Sequence, residues 1–126
     1  ENGHARWQMK PLYDATQSDA IAWVRAGYLK ELRNQGQLLQ RRQDVHPQYC
    51  LTAEEVRKQA LFIVTYRWLS PRHPDPDGFY LARLVDVLTN EKADDDDGVF
   101  VDFSSLYQEP RDEDQKRLFK EGLRVI

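Results

Sequence analysis

Apolar positions fall into four patterned stretches separated by polar or proline-rich ones. Residues 1 to 16 hold Trp7, Met9, Leu12 and Tyr13 with neither a helical nor a strand period, which predicts an extended arm. From Ser18 to about Gln35 the pattern turns helical, with Ile21, Val24, Tyr28 and Leu32 three and four apart and Trp23 beside them. Ser18 or Asp19 suits the start of that helix and Gly36 its stop, while Gly27 weakens its middle. Leu38 and Leu39 lead into a basic stretch at Arg41 and Arg42, and His46-Pro47 disfavours helix there.

Thr52-Ala53-Glu54-Glu55 matches a capping box, so a short helix runs to about Gln59. The run Ala60 to Tyr66 is continuous, apolar and partly β-branched, which predicts a strand covered on both faces, as in a parallel sheet. Pro71, Pro74, Pro76 and Gly78 mark a loop, and Asp77 caps a helix from about Gly78 to Thr89, ended by Asn90. The buried stripe of that helix is Leu81, Leu84, Val85 and Leu88. Asp94 to Asp97 and Gly98 form an acidic turn, expected to be solvated and mobile, before a second strand from Val99 to Phe103. A final helix from about Asp112 to Arg124 should bury Leu118, Phe119 and Leu123.

Ala60 to Phe103 thus forms a β-α-β unit with parallel strands. Two parallel strands do not make a stable sheet, so the predicted fold is an α/β parallel sheet, incomplete within this chain. The division expected is an extended arm and helical extension over 1–52, then a β-α-β-α segment over 53–126. Glu1 at one end and the apolar Leu123 to Ile126 at the other read as a segment of something longer.

Composition narrows the function. The 126 residues carry a net charge of −3, which argues against a dedicated nucleic-acid binder. Residues 1–52 sum to +2 and residues 53–126 to −5, so Arg41 and Arg42 are expected to pair with acids of the second half. No apolar run approaches a membrane span. Cys50 alone excludes an internal disulfide and any multi-cysteine zinc site; it reads as a small buried residue. The expected location is intracellular.

Three blocks resemble a family of uncharacterised TIR-like proteins of algae, protists and some bacteria. They are Arg41-Arg42-Gln43-Asp44; Trp68-Leu69-Ser70-Pro71 with His73-Pro74-Asp75-Pro76-Asp77-Gly78; and Val101-Asp102-Phe103-Ser104-Ser105-Leu106-Tyr107-Gln108. The strand Phe62 to Tyr66, followed by Arg67, also resembles the first strand of a TIR domain. The resemblance implies a flavodoxin-like fold with helices flanking a parallel sheet. It also implies a protein-interaction module of immune signalling or an enzyme that cleaves NAD. In such enzymes the catalytic glutamate follows the third strand, so no residue of this chain takes that role.

Ligands of open α/β sheets bind beyond the carboxyl ends of the strands. That edge offers Tyr66, Arg67, Trp68 and Ser70 after the first strand, and Asp102, Ser104 and Ser105 after the second. Arg67 suits a phosphate or carboxylate and Trp68 a stacked ring. Alternatively, Arg67 pairs with Asp102 and Trp68 belongs to the core. His73, Asp75 and Asp77 do not meet a calcium-loop pattern, and the expected role is structural, with no metal. Ser104 and Ser105 have no glycine-bounded nucleophile elbow around them. Two functions therefore stand. One is an interaction module that assembles with other chains, as a signalling domain or an accessory subunit. The other is a hydrolase acting on NAD or a related nucleotide, with NAD as substrate and its glutamate supplied beyond Ile126.

Overall fold

A computed structural model describes residues 2–64 and 75–125. The protein is mixed α/β, and its described residues form a three-stranded sheet between two layers of helices. In chain order the main elements are α1 (Asn2–Gln17), β1 (Val24–Arg25), α2 (Ala26–Asn34), α3 (Ala53–Lys58), β2 (Leu61–Val64), α4 (Phe79–Asn90), β3 (Gly98–Val101), α5 (Asp102–Ser105) and α6 (Glu113–Val125). Two single-turn helices, Arg42–Asp44 and Pro47–Tyr49, lie between α2 and α3.

The parallel pairing of β2 and β3 around α4 matches the sequence reading, with Phe62 opposite Val99 and Val64 opposite Val101. The sheet order corrects the rest. β3 lies in the centre, and its other edge is taken by β1, antiparallel, with Val24 opposite Val99. The sheet is therefore mixed, and its third strand comes from inside the stretch that the apolar spacing assigned to a helix. Ile21 and Val24 sit in extended chain, and only α2 keeps the helical stripe, through Tyr28, Leu29 and Leu32.

The arm is corrected as well: residues 2–17 are helical. Pro11 and the polar majority conceal this, because the buried face near the helix end is built from small residues, Ala15 and Thr16. Asp19 closes α1 and caps nothing after it. At φ 71° it occupies the left-handed position. Ala20 N–H donates to the Ala15 carbonyl at 2.8 Å, and Asp19 N–H donates to that of Thr16 at 3.1 Å. That is the paired bonding of a Schellman end. Gly36 ends α2 in the same way, as expected, and Lys92 (φ 58°) ends α4 just past Asn90.

Alternation along β3 distributes the core. Val99 and Val101 meet α2 and α4 on one face, in a cluster with Tyr28, Leu29, Leu32, Leu81, Leu84, Val85 and Leu88. The predicted α4 stripe is thus the observed one. Phe100 faces the other way, among Ile21, Trp23, Leu51, Val56, Leu106 and Leu118. Trp23 packs edge-on to Phe100 with ring centroids 6.0 Å apart. Its indole donates to the Thr16 hydroxyl at 3.1 Å, which itself donates to the Leu12 carbonyl at 2.8 Å. A buried indole N–H without such an acceptor would cost stability.

The capping box of α3 is present: Glu55 N–H donates to the Thr52 hydroxyl at 3.2 Å and Thr52 N–H donates to the Glu55 carboxylate at 2.9 Å. The acidic turn, by contrast, is a built part of the fold. Asp97 is buried and accepts from Ala60 N–H at 3.3 Å and Asp94 N–H at 2.9 Å. The carbonyls of Asp97 and Asp95 accept from Ala26 and Gly27 at the start of α2, both at 2.9 Å. A Cβ on Gly27 would come within 2.9 Å of the Asp95 Cβ, so glycine permits that docking. Lys30 holds Asp95, and Arg25 holds both Asp96 and Glu55. The two halves of the chain do pair by charge, but through Arg25, Lys30 and Arg33. Arg41 instead pairs locally with Asp44, and Arg42 lies over the Tyr107 ring. In α6, Leu118 is buried as expected, but Leu123 is 51% exposed and Gly122 takes the inward place.

Candidate functional site

β2 and β3 run parallel, so their carboxyl ends share one edge. Tyr66, Arg67, Trp68, Ser70 and His73 fall outside the described residues, and so does the expected Arg67–Asp102 pair. Asp102 is placed as expected, at the end of β3, where it opens α5. Burial pushes its carboxyl above the usual carboxylate range. Asp75 and Tyr80 stand in the same corner. Burial, and then the carboxylates of Asp75 and Asp102, push the Tyr80 phenol up. Two acids and a phenol therefore share a partly desolvated corner.

Asp75 is the loop residue that organises α4. Its two carboxylate oxygens accept from Tyr80 N–H at 3.0 Å and Leu81 N–H at 2.9 Å. Its carbonyl accepts from Gly78, whose φ of 72° turns the chain into the helix. The capping role assigned to Asp77 thus belongs to Asp75; Asp77 is exposed. The reason is reach: with Gly78 left-handed, the carboxylate that meets the first free N–H groups is four residues before Phe79 rather than two.

Ser104 is not on the ligand edge. It is fully buried, and its hydroxyl donates to the Gln40 carbonyl. Ser105 is also buried, its hydroxyl accepting from Val101 N–H at 3.0 Å. Gln43 bridges to Gln108, taking its N–H at 3.1 Å on one side of the amide and donating to its carbonyl with the other. Gln43 thus clamps its segment to 101–108, Ser104 ties the same region to Gln40, and Ser105 and the Gln108 side chain are engaged within 101–108. Cys50 is half-buried, and burial pushes its thiol up. Among the described residues no three His, Cys, Asp or Glu side chains converge as a metal site would require.

Sequence reasoning missed one feature of the surface. The outer face of α4 carries Phe79, 62% exposed, and Val87, 54% exposed, eight residues apart and so on one side. The Arg83 guanidinium lies 5.7 Å from the Phe79 ring centroid, between them. Leu38, itself exposed, packs near Gly78 at the head of that stripe. Ile63 adds a further exposed apolar side chain on β2, at 54%. The signal was legible in the helical period, as the apolar residues left over once Leu81, Leu84, Val85 and Leu88 had been assigned to the core.

Comparison with protein-family models, with curated proteins and with solved structures gives no match to this chain. No described helix is long and apolar enough to cross a membrane.

Proposed function

We propose that this chain is a TIR-like interaction module whose function is to assemble with other chains, as a signalling domain or as an accessory subunit. The observation that carries the reading is the apolar stripe on the outside of α4. Large exposed apolar side chains grouped on one face are characteristic of interaction surfaces. β2 adds a second feature, since among the described residues no strand pairs with its outer edge. An open edge is a template for another chain.

The strand-end corner gives less support to a nucleotide-cleaving function. The carboxylate of Asp75 is engaged with the Tyr80 and Leu81 N–H groups at the head of α4. Ser104, expected as a ligand contact at this edge, is fully buried and not open to it.

The test is sedimentation velocity over a concentration series, with a second copy of the chain as the partner. The expected result is reversible self-association that the pair of substitutions Phe79→Ser and Val87→Lys abolishes, with the unfolding midpoint kept. A chain that stays monomeric throughout, or whose association survives both substitutions, would contradict assembly through α4.

A further inference from the structure

A cleft of about 340 Å³ lies on the side of the molecule where the end of α1 meets the segment 42–52. Its walls are apolar where Ile21, Val45, Pro47 and Leu51 contribute, and Arg42 supplies a cation. That arginine is incompletely satisfied by the protein. Its Nη2 donates to the Asp19 carbonyl at 3.1 Å, which the left-handed turn at Asp19 presents to it. Its planar face is taken by Tyr107, 4.2 Å from guanidinium carbon to ring centroid. Nε is buried without any hydrogen-bond partner. Among the described residues no carboxylate lies within ion-pair distance of it, although acids outnumber bases in this chain 21 to 18. Within residues 1–52 the other arginines whose side chains are described, at 25, 33 and 41, each have a carboxylate partner.

Nε is closed off from the cleft, but a guanidinium pinned by a carbonyl and an aromatic ring, with no carboxylate partner, still offers the hydrogens of its two Nη groups to a planar two-oxygen anion. The hydroxyl of Thr52, also in the lining, accepts from Glu55 in the capping box and keeps its own proton to donate. Asp19 stands in the lining as well. Its negative charge disfavours a dianion such as phosphate more than a monoanion. The apolar wall favours a ligand with a hydrocarbon body.

We propose that this cleft is a binding site for a small organic monocarboxylate, held by the Arg42 fork with its hydrocarbon part against Ile21, Val45, Pro47 and Leu51. The site is separate from the α4 stripe and independent of assembly.

The experiment is a titration of the ¹⁵N-labelled chain with sodium isovalerate and, separately, with inorganic phosphate at matched ionic strength, followed by the amide signals of Ala22, Val45 and Leu51. Saturable shifts with isovalerate in the millimolar range are expected, with phosphate several-fold weaker. Arg42→Gln should weaken isovalerate at least about tenfold, the size expected for loss of a charge-assisted hydrogen bond. Arg42→Lys keeps the charge but loses the fork, and should also bind several-fold more weakly; it serves if the glutamine variant does not fold. No saturable shift, phosphate binding as tight as isovalerate, or undiminished binding by a folded Arg42 variant would each overturn the proposal.

Discussion

β2 and β3 are neighbours in one sheet, four residues each and of similar apolar composition, yet they occupy opposite environments. Every residue of β3 is buried. It has a strand on each side and helices on both faces. No residue of β2 is fully buried, and Ile63 is exposed. The difference is one of position. A central strand is covered by whatever the sheet packs against, whereas an edge strand depends on elements that reach past it. Apolar character alone does not distinguish the two, and the run Ala60 to Tyr66 suggested a strand buried on both faces when its described part lies at the edge.

Mutation can break this comparison. Phe100→Ala should cost about 3–5 kcal/mol, because the ring is fully enclosed by Trp23, Ile21 and Leu106. Ile63→Ala should change stability by less than about 0.5 kcal/mol, as for exposed positions generally. Urea unfolding of both variants measures the gap, and equal costs would remove the distinction between centre and edge.

A smaller effect tests the cover over the second face. α3 leads directly into β2 and buries Val56 in the Phe100 cluster. Thr52→Ala should cost about 1 kcal/mol through loss of the capping box, read as a lower unfolding midpoint. An unchanged midpoint would mean that the box does not hold α3 in place.

On the opposite face, the stack of Tyr28 on Tyr49, with centroids 4.5 Å apart, packs against the core. Burial, aided by Cys50 and Tyr49, raises the Tyr28 phenol from 10.0 to about 12. The neutral phenol is favoured in the folded state, so the unfolded chain loses this proton first. Its contribution to stability is complete below about 10 and lost as pH rises towards about 12. Tyr28→Phe should flatten that part of the alkaline stability profile; an identical profile would remove Tyr28 as its source.

Local periodicity made α4 legible down to its three buried leucines and one valine, and the Thr52 capping box was legible from four consecutive letters. β1 was not. It is two residues long, and Val24 serves the sheet only because the chain comes back 75 residues later to place Val99 beside it. Nothing local encodes such a contact. Ile21, Trp23 and Val24 happen to fall at helical spacing, and the Schellman end at Asp19 lacks the glycine that usually marks one. The site was legible only in part. Asp102 was found from its place after a strand, whereas Ser104 was turned inward by a short helix that follows the strand immediately. The Arg42 cleft joins residues from three separate stretches of the sequence, 16–22, 42–52 and Tyr107, and has no signature along the chain.

Hydrogen–deuterium exchange at low and high protein concentration tests the central claim, that the edge of β2 left unpaired among the described residues and the outer face of α4 are where other chains dock. The account predicts that the peptides holding Ile63 and Phe79 to Val87 gain protection as the chain associates, while β3 exchanges slowly throughout. Association without added protection at those two places, or exchange in β3 as fast as in β2, would contradict it.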